Sequence, residues 1–442
     1  MPKRLIAQSA DLFSKFIRAE AFSGILLIIM AAAALIWTNL DEASYVSFWQ
    51  QPVTLGFGDF LLSKPFLLWI NDGLMAFFFF VVGLEIKREL LAGELATWRQ
   101  ASLPMFAALG GMVIPALVFV SVNKGTAGVD GWGIPMATDI AFSLGVLALL
   151  GRRVPLSLKI FLTALAIVDD IGAVLVIAFF YSSKISLGNL LMGVGFLALM
   201  WIMNLAGVRR TLLYAIVGIV GVWFAFLLSG VHATIAGVLA AFAIPASTKI
   251  SSGEFRDSIT ETLSGLKSDV KTGQLLSKES QGIVLSVKDT CAVFEAPLQS
   301  LEHSLHPWVV YLVMPLFALS NAGVKLSSDM MELLVQPLAL GIILGLVAGK
   351  IIGIVGFSWI ASRFGWATLP AGMRWVHVAG AAALAGIGFT MSLFITSLAF
   401  TDSALILQAK MAILISSLVA GLLGFLILKR NLPDESQTEG AS

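Results

Sequence analysis

Long apolar stretches alternate with short polar connections along almost the whole chain. A helix that spans a bilayer needs about 20 consecutive apolar residues, and fewer where a segment is half buried in protein. The pattern predicts twelve spans, or eleven if the two beside Ser229 and Gly230 form one. They lie at about 19–38, 66–86, 103–122, 132–150, 156–181, 187–207, 211–228, 231–246, 307–324, 336–361, 376–400 and 406–428.

The composition fits one membrane-embedded unit and excludes a soluble or fibrous protein. Of the 442 residues, 58% are hydrophobic and only 12% are charged, against roughly 45–50% and about 25% in soluble domains. A formal net charge of +1 gives no sign of a nucleic-acid-binding protein. The single cysteine, Cys291, excludes an intrachain disulfide and a cysteine-based zinc site.

Basic residues are distributed unequally between the two sides of the predicted spans. Of the 28 Lys and Arg residues, 22 fall on the side of the N-terminus and 5 on the opposite side, and Lys350 lies inside a span. Lys and Arg concentrate in the cytoplasmic connections of membrane proteins. We therefore expect both termini to be cytoplasmic.

Polar segments divide the chain into five regions. The first outer loop, 39–65, has short alternating stretches broken by Gly56 and Gly58, which predicts a β-hairpin. The regions are a charged cytoplasmic leader 1–18, spans one to eight in 19–246, a cytoplasmic insertion 247–300, spans nine to twelve in 301–430 and a cytoplasmic tail 431–442.

The insertion 247–300 has its own apolar pattern within a polar composition. Residues at helical spacing predict an amphipathic helix that packs on the protein or lies on the bilayer surface. Its nearly balanced charge leaves a disordered loop as an equal alternative. The apolar positions are Phe255, Ile259, Leu263, Leu266 and Val270.

Two spans contain helix breakers that a lipid-exposed helix would avoid. The fourth span is interrupted by glycines and a proline between Gly131 and Pro135, and the eleventh between Gly386 and Gly388. Each is the middle span of a triplet, 103–181 or 336–428, and the two triplets have opposite orientations. Paired interruptions in inverted halves predict a transport site near the bilayer midplane. The alternative is that the glycines only permit close helix packing.

Four ionisable residues lie deep inside spans, namely Asp139, Asp169, Asp170 and Lys350. Each costs about 2.5–3.5 kcal/mol at a helix centre, so pairing or function must offset the cost. A single Lys–Asp pair could serve packing alone. Three carboxylates with one lysine, however, leave at least one acid protonated or bound to a cation. Carboxylate oxygens suit a small hard cation, and Thr138 could add another oxygen.

Six short motifs stand in order along nearly the whole chain outside 247–300. They are Ala137-Thr-Asp-Ile-Ala-Phe142, Ala166-Ile-Val-Asp-Asp-Ile-Gly172, Ser229-Gly-Val-His-Ala-Thr234, Leu305-His-Pro-Trp308, Met314-Pro-Leu-Phe-Ala-Leu-Ser-Asn-Ala-Gly323 and Gly386-Ile-Gly-Phe-Thr-Met-Ser392. Together they closely resemble the NhaA family of bacterial sodium/proton antiporters. The resemblance implies an all-α polytopic membrane protein with about twelve transmembrane helices. In this fold, inverted repeats carry two broken helices that cross at the midplane.

The resemblance also implies the activity. The protein would be an electrogenic, pH-regulated antiporter of the bacterial inner membrane that exports sodium or lithium in exchange for protons by alternating access. It would be no enzyme and would need no cofactor. Its partners would be these ions, membrane lipid and a second copy of the chain, joined through the hairpin of 39–65.

Individual roles follow from the matching positions. Asp170 and Asp169 resemble the acids that carry sodium and protons, Lys350 the lysine that pairs with Asp169, and Thr138 and Asp139 the residues at the crossing. Residues that match the pH sensor are Glu85, Arg88, Glu89, Glu302, His303 and His306, with His232 as a further candidate. The insertion is about 40 residues longer than the usual connection, which leaves the details of pH regulation open.

Two other functions use similar residues. A sodium-coupled solute symporter would need an additional solute site, for which the sequence offers no identifiable groups. An intramembrane aspartyl protease would need two carboxylates that share a proton. Such proteases resemble Gly-x-Gly-Asp at one aspartate, whereas here Ile134 follows Gly131 and Gly133.

Overall fold

The computed structural model describes residues 22–57, 60–182, 185–265, 277–326 and 330–432, and most of them are helical. Two helices bent by 46°, Trp375–Ala385 and Phe389–Ala399, together form one span. Nine further helices in the described part of the chain are long and apolar enough to cross a membrane: Phe22–Leu40, Phe66–Ala92, Trp98–Asn123, Val129–Ala148, Leu156–Phe180, Leu187–Leu205, Thr211–Ser229, Pro337–Arg363 and Ser403–Asn431. The prediction of an all-α polytopic membrane protein is confirmed.

The other two predicted spans correspond to less regular helical segments. Ala233–Ala243 has 11 residues, and most of its side chains are buried in the protein. At 1.5 Å per residue it is about 16 Å long, which is too short to cross a bilayer core of about 30 Å by itself. The predicted span 307–324 lies in three consecutive segments, the α-helix Pro297–Trp308, the π-helix Val309–Val313 and the α-helix Met314–Asn321.

The connection after the first span contains a helix and a β-hairpin. Helix Glu42–Gln50, which the apolar pattern did not predict, is capped by the Asp41 side chain. Strands Pro52–Phe57 and Phe60–Pro65 pair antiparallel. The Lys64 ammonium lies 3.0 Å from an Asp72 carboxylate oxygen and thereby links the hairpin to the second span.

The insertion contains two helices that pack on each other. Helix Ser252–Ser264 begins with a capping box in which Ser251 and Glu254 exchange hydrogen bonds. The second helix is Lys278–Phe294. The ring of Phe294 stacks on the ring of Phe255, and the two centroids are 4.2 Å apart. Several predicted features lie outside the described residues, namely Leu266, Val270, the leader 1–18 and most of the tail 431–442.

Two spans are broken, the first at 137–139, directly after the predicted Gly131–Pro135, and the second at Gly386–Gly388 as predicted. In the first broken span, the 3₁₀-helix Val129–Met136 is followed by the α-helix Ile140–Ala148. In the second broken span, Trp375–Ala385 is followed by Phe389–Ala399. Each break leaves a short non-helical segment whose backbone groups need partners, because lipid offers none.

Unbroken helices support both broken spans. The aspartate helix, Leu156–Phe180, follows the first broken span, and the lysine helix, Pro337–Arg363, precedes the second. The lysine helix packs closely on Trp98–Asn123. A methyl group on Gly110 would lie 2.1 Å from the Gly353 carbonyl oxygen, so only glycine permits this contact.

The remaining described elements are short. Helix Met330–Leu334 precedes the lysine helix, and the 3₁₀-helix Gly151–Arg153 precedes the aspartate helix. The π-helical segments within longer helices are Trp69–Leu74, Val217–Trp223, Val309–Val313 and Gly345–Gly349. Gly345–Gly349 directly precedes Lys350, and π-segments often occur at functional sites.

Candidate functional site

The breaks of the two broken spans contact each other directly. The Asp139 amide donates to the Ile387 carbonyl at 2.7 Å. The Ser143 hydroxyl donates to the Leu384 carbonyl, and the Ser392 hydroxyl donates to the Ile134 carbonyl, each at 2.8 Å. The two broken spans therefore satisfy backbone groups of each other at and beside their breaks.

Asp139 joins the helix N-termini that meet at this crossing. One carboxylate oxygen accepts from the Phe142 amide at 3.0 Å, and the other accepts from the Thr390 amide at 3.1 Å and the Thr390 hydroxyl at 2.5 Å. The side chain is completely buried. Helix N-termini carry partial positive charge, so a carboxylate at this point stabilises both broken spans.

Lys350 and Asp169 form a buried ion pair. The ammonium lies 2.5 Å from one Asp169 carboxylate oxygen and 2.9 Å from the Thr138 hydroxyl. That hydroxyl is 2.6 Å from the same Asp169 oxygen and 2.8 Å from the Ala385 carbonyl. The three side chains connect the aspartate helix, the lysine helix and both broken spans at one point.

Asp169 and Asp170 each keep one carboxylate oxygen without a hydrogen-bond partner among the described residues. Both side chains are 2% exposed. Consecutive helical residues point about 100° apart, so only Asp169 reaches Lys350. A buried polar atom without a partner is costly and needs an explanation. A proton or a cation on these oxygens supplies one.

The three predicted acids differ in their hydrogen bonds. Asp139 lies at the crossing, as the resemblance implied, and its oxygens receive the three donors of Phe142 and Thr390, whereas Asp169 and Asp170 each keep one oxygen without a partner among the described residues. In the described part of the chain, no three His, Cys, Asp or Glu side chains converge on a possible metal position. A monovalent cation with carboxylate, hydroxyl and carbonyl oxygens fits this arrangement better than a tightly held divalent metal.

A second cluster of charged side chains, the group around Arg88, lies near the C-terminal end of Phe66–Ala92. One Arg88 nitrogen is 2.9 Å from a Glu302 oxygen, and another is 2.8 Å from a Glu89 oxygen. Burial raises the pKa of the Glu302 carboxyl, and the positive charge of Arg88 opposes that shift. Among the other predicted sensor residues, His303 and His306 share the helix of Glu302, and Glu85 lies one turn before Arg88.

His232, the further candidate for the pH sensor, lies far from the group around Arg88. Helix Ala233–Ala243 runs parallel to Phe66–Ala92, and the Lys87 ammonium donates to the Phe242 carbonyl near the end of the shorter helix. His232 precedes that helix and packs edge-on against Phe394, with the ring centroids 6.2 Å apart. It therefore lies toward the Asp72 end, more than a dozen residues of helix, or about 20 Å, from Arg88.

Thr390 and Tyr181 form hydrogen bonds to the first broken span, and the sequence did not single out either residue. Thr390 supplies two of the donors to Asp139. Tyr181 accepts from the Gly133 amide at 3.2 Å and donates to the Asp130 carbonyl at 2.8 Å, which closes the first half of the first broken span. Thr390 belongs to the motif Gly386–Ser392, so its position beside the second break could have indicated a role at the crossing.

Crossed broken spans around a buried Lys–Asp pair define a secondary ion transporter. The match to the model of the Na+/H+ antiporter 1 family covers residues 14–428, and the chain belongs to that family. Three relatives are each named Na(+)/H(+) antiporter NhaA. The one from Oleidesulfovibrio alaskensis is 52% identical over 94% of this chain and 93% of its own. Those from Koribacter versatilis and Rhodospirillum rubrum are 48% and 46% identical, over 95% and 94% of this chain and 91% and 96% of their own. The resemblance to the NhaA family is confirmed.

Proposed function

We propose that this protein exchanges sodium or lithium ions for protons across the bacterial inner membrane, with Asp170 and Asp169 as the shared binding site. The observation that carries the proposal is the pair of buried carboxylate oxygens without described partners beside the Lys350 ion pair. The named activity of the relatives supports it. Transport, not chemical conversion of a substrate, is the function that these features favour.

Charge balance makes sodium and a proton alternatives at this site. Ionised Asp169 and charged Lys350 cancel, and the helix N-termini at the crossing offset the charge of Asp139. An ionised Asp170 therefore leaves one net negative charge in a low-dielectric environment. One proton or one sodium ion restores neutrality, and binding both would restore a costly net charge. A proton and a sodium ion therefore compete for Asp170 as the site alternates between the two sides of the membrane.

The Lys350 ion pair supplies a route to a second proton. If sodium binds to both carboxylates, Asp169 must release the Lys350 ammonium. An unpaired buried ammonium is unfavourable, so Lys350 then releases its proton. More protons than sodium ions would move per cycle, and transport would be electrogenic.

Everted membrane vesicles provide the test of exchange. Adding sodium without any other solute should move protons and change the internal pH, measured with a pH-sensitive dye. Vesicles without the protein are the control. Proton movement only after a solute is added would indicate a sodium-coupled symporter and would contradict the proposal.

Electrogenic transport predicts a response to membrane potential. Each net charge moved is worth about 2.3 kcal/mol per 100 mV. We expect the sodium gradient formed by reconstituted protein to rise when potassium and valinomycin set a potential that drives positive charge in the direction of proton movement. The reversed potential is the control. An identical gradient under both potentials would show electroneutral exchange.

The group around Arg88 is our proposed pH sensor, formed with Glu85, Glu89, Glu302, His303 and His306. These charged and titratable side chains lie at the end of Phe66–Ala92 that the excess of basic residues assigns to the cytoplasm. By the same criterion both termini and the insertion 247–300 are cytoplasmic. The hairpin on the opposite side supports the proposed contact between two copies, because its strands leave backbone groups unpaired at their outer edges.

Arg88→Gln should move the pH profile of exchange toward alkaline pH by about 0.5–1 unit. The Arg88 charge lowers the pKa of Glu302, so its removal lets burial raise that pKa further. If activation requires ionised Glu302, a higher pH is then needed. The measurement is the rate of sodium-driven proton movement at a series of pH values.

The matched control for this prediction is Arg256→Gln. It removes the same charge from the insertion helix Ser252–Ser264, where Arg256 pairs with Asp257, its exposed neighbour, and with no other acid among the described residues. That variant should keep the original profile. An unchanged or acid-shifted profile in Arg88→Gln would remove Arg88 and Glu302 from the sensor.

A further inference from the structure

A positively charged cavity of about 490 Å³ opens between the starts of two spans and the end of a third. This volume is within the range of small-molecule sites. Among the described residues that line it there are two guanidinium groups and an imidazole, and no carboxylate. The lining consists of Pro155, Gly372, Arg374, His377, Arg430, Asn431 and Leu432.

Arg374 and His377 form the rigid wall of this cavity. The Arg374 guanidinium donates to the Asn431 carbonyl, which ends the last helix, Ser403–Asn431. The Arg374 amide donates to His377 Nδ1 at 3.3 Å, and His377 Nε2 lies 3.4 Å from both the Arg374 guanidinium and the Asn431 carbonyl. His377 is 3% exposed. These contacts hold the Arg374 charge at the mouth of the cavity.

Arg430 supplies a second charge that no described residue neutralises. Its exposed side chain has no hydrogen bond or ion pair with any residue in the described ranges. The adjacent Lys429 does not line the cavity, and its ammonium lies over the Phe425 ring, 5.7 Å from the centroid. Two guanidinium groups without an acidic partner favour an anion that accepts several hydrogen bonds.

The start of the aspartate helix adds to the positive potential. Pro155 lines the cavity and directly precedes Leu156–Phe180, whose first turn has no side-chain cap. The free amides and the dipole of a helix N-terminus favour an anion. All three positive features therefore face the same opening.

The cavity also lies at the level of lipid headgroups. Trp366 and Trp375 flank the connection that contains Gly372 and Arg374, and their side chains are 52% and 36% exposed. Exposed tryptophans at the ends of spans are typical of the membrane–water interface. Basic cavities between spans on the cytoplasmic side bind anionic headgroups.

We propose that this cavity binds a phosphate group, and that the anion with access to it is the headgroup of an acidic phospholipid. Arg430 and Arg374 would hold the phosphate oxygens, and the start of the aspartate helix would face them. Free inorganic phosphate has the same chemistry and is the other possible source. The ligand would connect the aspartate helix to the second broken span, and hence to both sides of the crossing.

The test measures phospholipid binding to the delipidated full-length protein in detergent by native mass spectrometry. Phosphatidylglycerol and phosphatidylcholine are the two probes, each with and without millimolar inorganic phosphate. We expect Arg430→Gln to weaken phosphatidylglycerol binding by about tenfold. Lys429→Gln, which removes the same charge one residue away, should change it by less than about twofold.

The outcomes separate the possibilities without reference to transport. Weaker phosphatidylglycerol binding in Arg430→Gln alone supports the site. If inorganic phosphate then displaces the lipid, the site also accepts free phosphate. If it does not, the site is specific for the lipid headgroup. Equal losses in Arg430→Gln and Lys429→Gln, or no loss in either, would overturn the proposal. In the described part of the chain, Arg430 has no hydrogen bond to Arg374 or His377. The thermal unfolding midpoint of Arg430→Gln should therefore remain unchanged, which would exclude misfolding as the cause of weaker lipid binding.

Discussion

Asp170→Asn should reduce sodium-driven proton movement at least about a hundredfold while the protein still inserts into the membrane. Asparagine has the size of aspartate, but its amide can neither carry the proton nor balance the charge of a cation. Insertion is preserved because the substitution removes a costly buried charge. The measurement is sodium-dependent pH change in everted vesicles, normalised to the amount of inserted protein.

Asp402→Asn is the matched control for Asp170→Asn. Asp402 is exposed and caps the last helix by accepting from the Ala404 amide at 2.8 Å. Asparagine caps a helix about as well as aspartate, so the variant should keep both its stability and its exchange. Normal exchange by inserted Asp170→Asn would refute the assignment of Asp170 as the carrier.

The fold was predictable because membrane spans leave strong signals. Runs of about 20 apolar residues are rare for other reasons, and a charge inside such a run is conspicuous because it is costly. The helix breakers at Gly131–Pro135, just before the first break, and at Gly386–Gly388, in the second break, were visible because a lipid-exposed helix would avoid them. Helix Glu42–Gln50 was missed because its polar surface gives no apolar run, although Asp41 and Glu42 form a local start signal.

The arrangement within the site was less predictable than its members. The resemblance placed Asp139 at the crossing, but only the structure gives its oxygens to Phe142 and Thr390. Thr390 is neutral and its hydroxyl costs little in a span, so the sequence held no energetic signal for it. The position of His232 depends on how two distant helices pack, which no local pattern encodes.

The second large effect concerns the buried ion pair. Lys350→Met should destabilise the protein by about 3–5 kcal/mol, because it leaves the Asp169 carboxylate buried without its cation. Methionine preserves the length and apolar stem of lysine, so packing against the first broken span changes little. The measurement is the free energy of unfolding in mixed micelles, from a denaturant titration.

The double variant Asp169→Asn/Lys350→Met distinguishes the ion pair from simple packing. Removing both charges should recover most of the lost stability, to within about 1–2 kcal/mol of the original protein, and the double-mutant cycle then gives the coupling between the two residues. Lys64→Met is the control, since its partner Asp72 is partly exposed and solvent screens the pair. If the double variant is as unstable as Lys350→Met, the ammonium stabilises the crossing through Thr138 and not through Asp169.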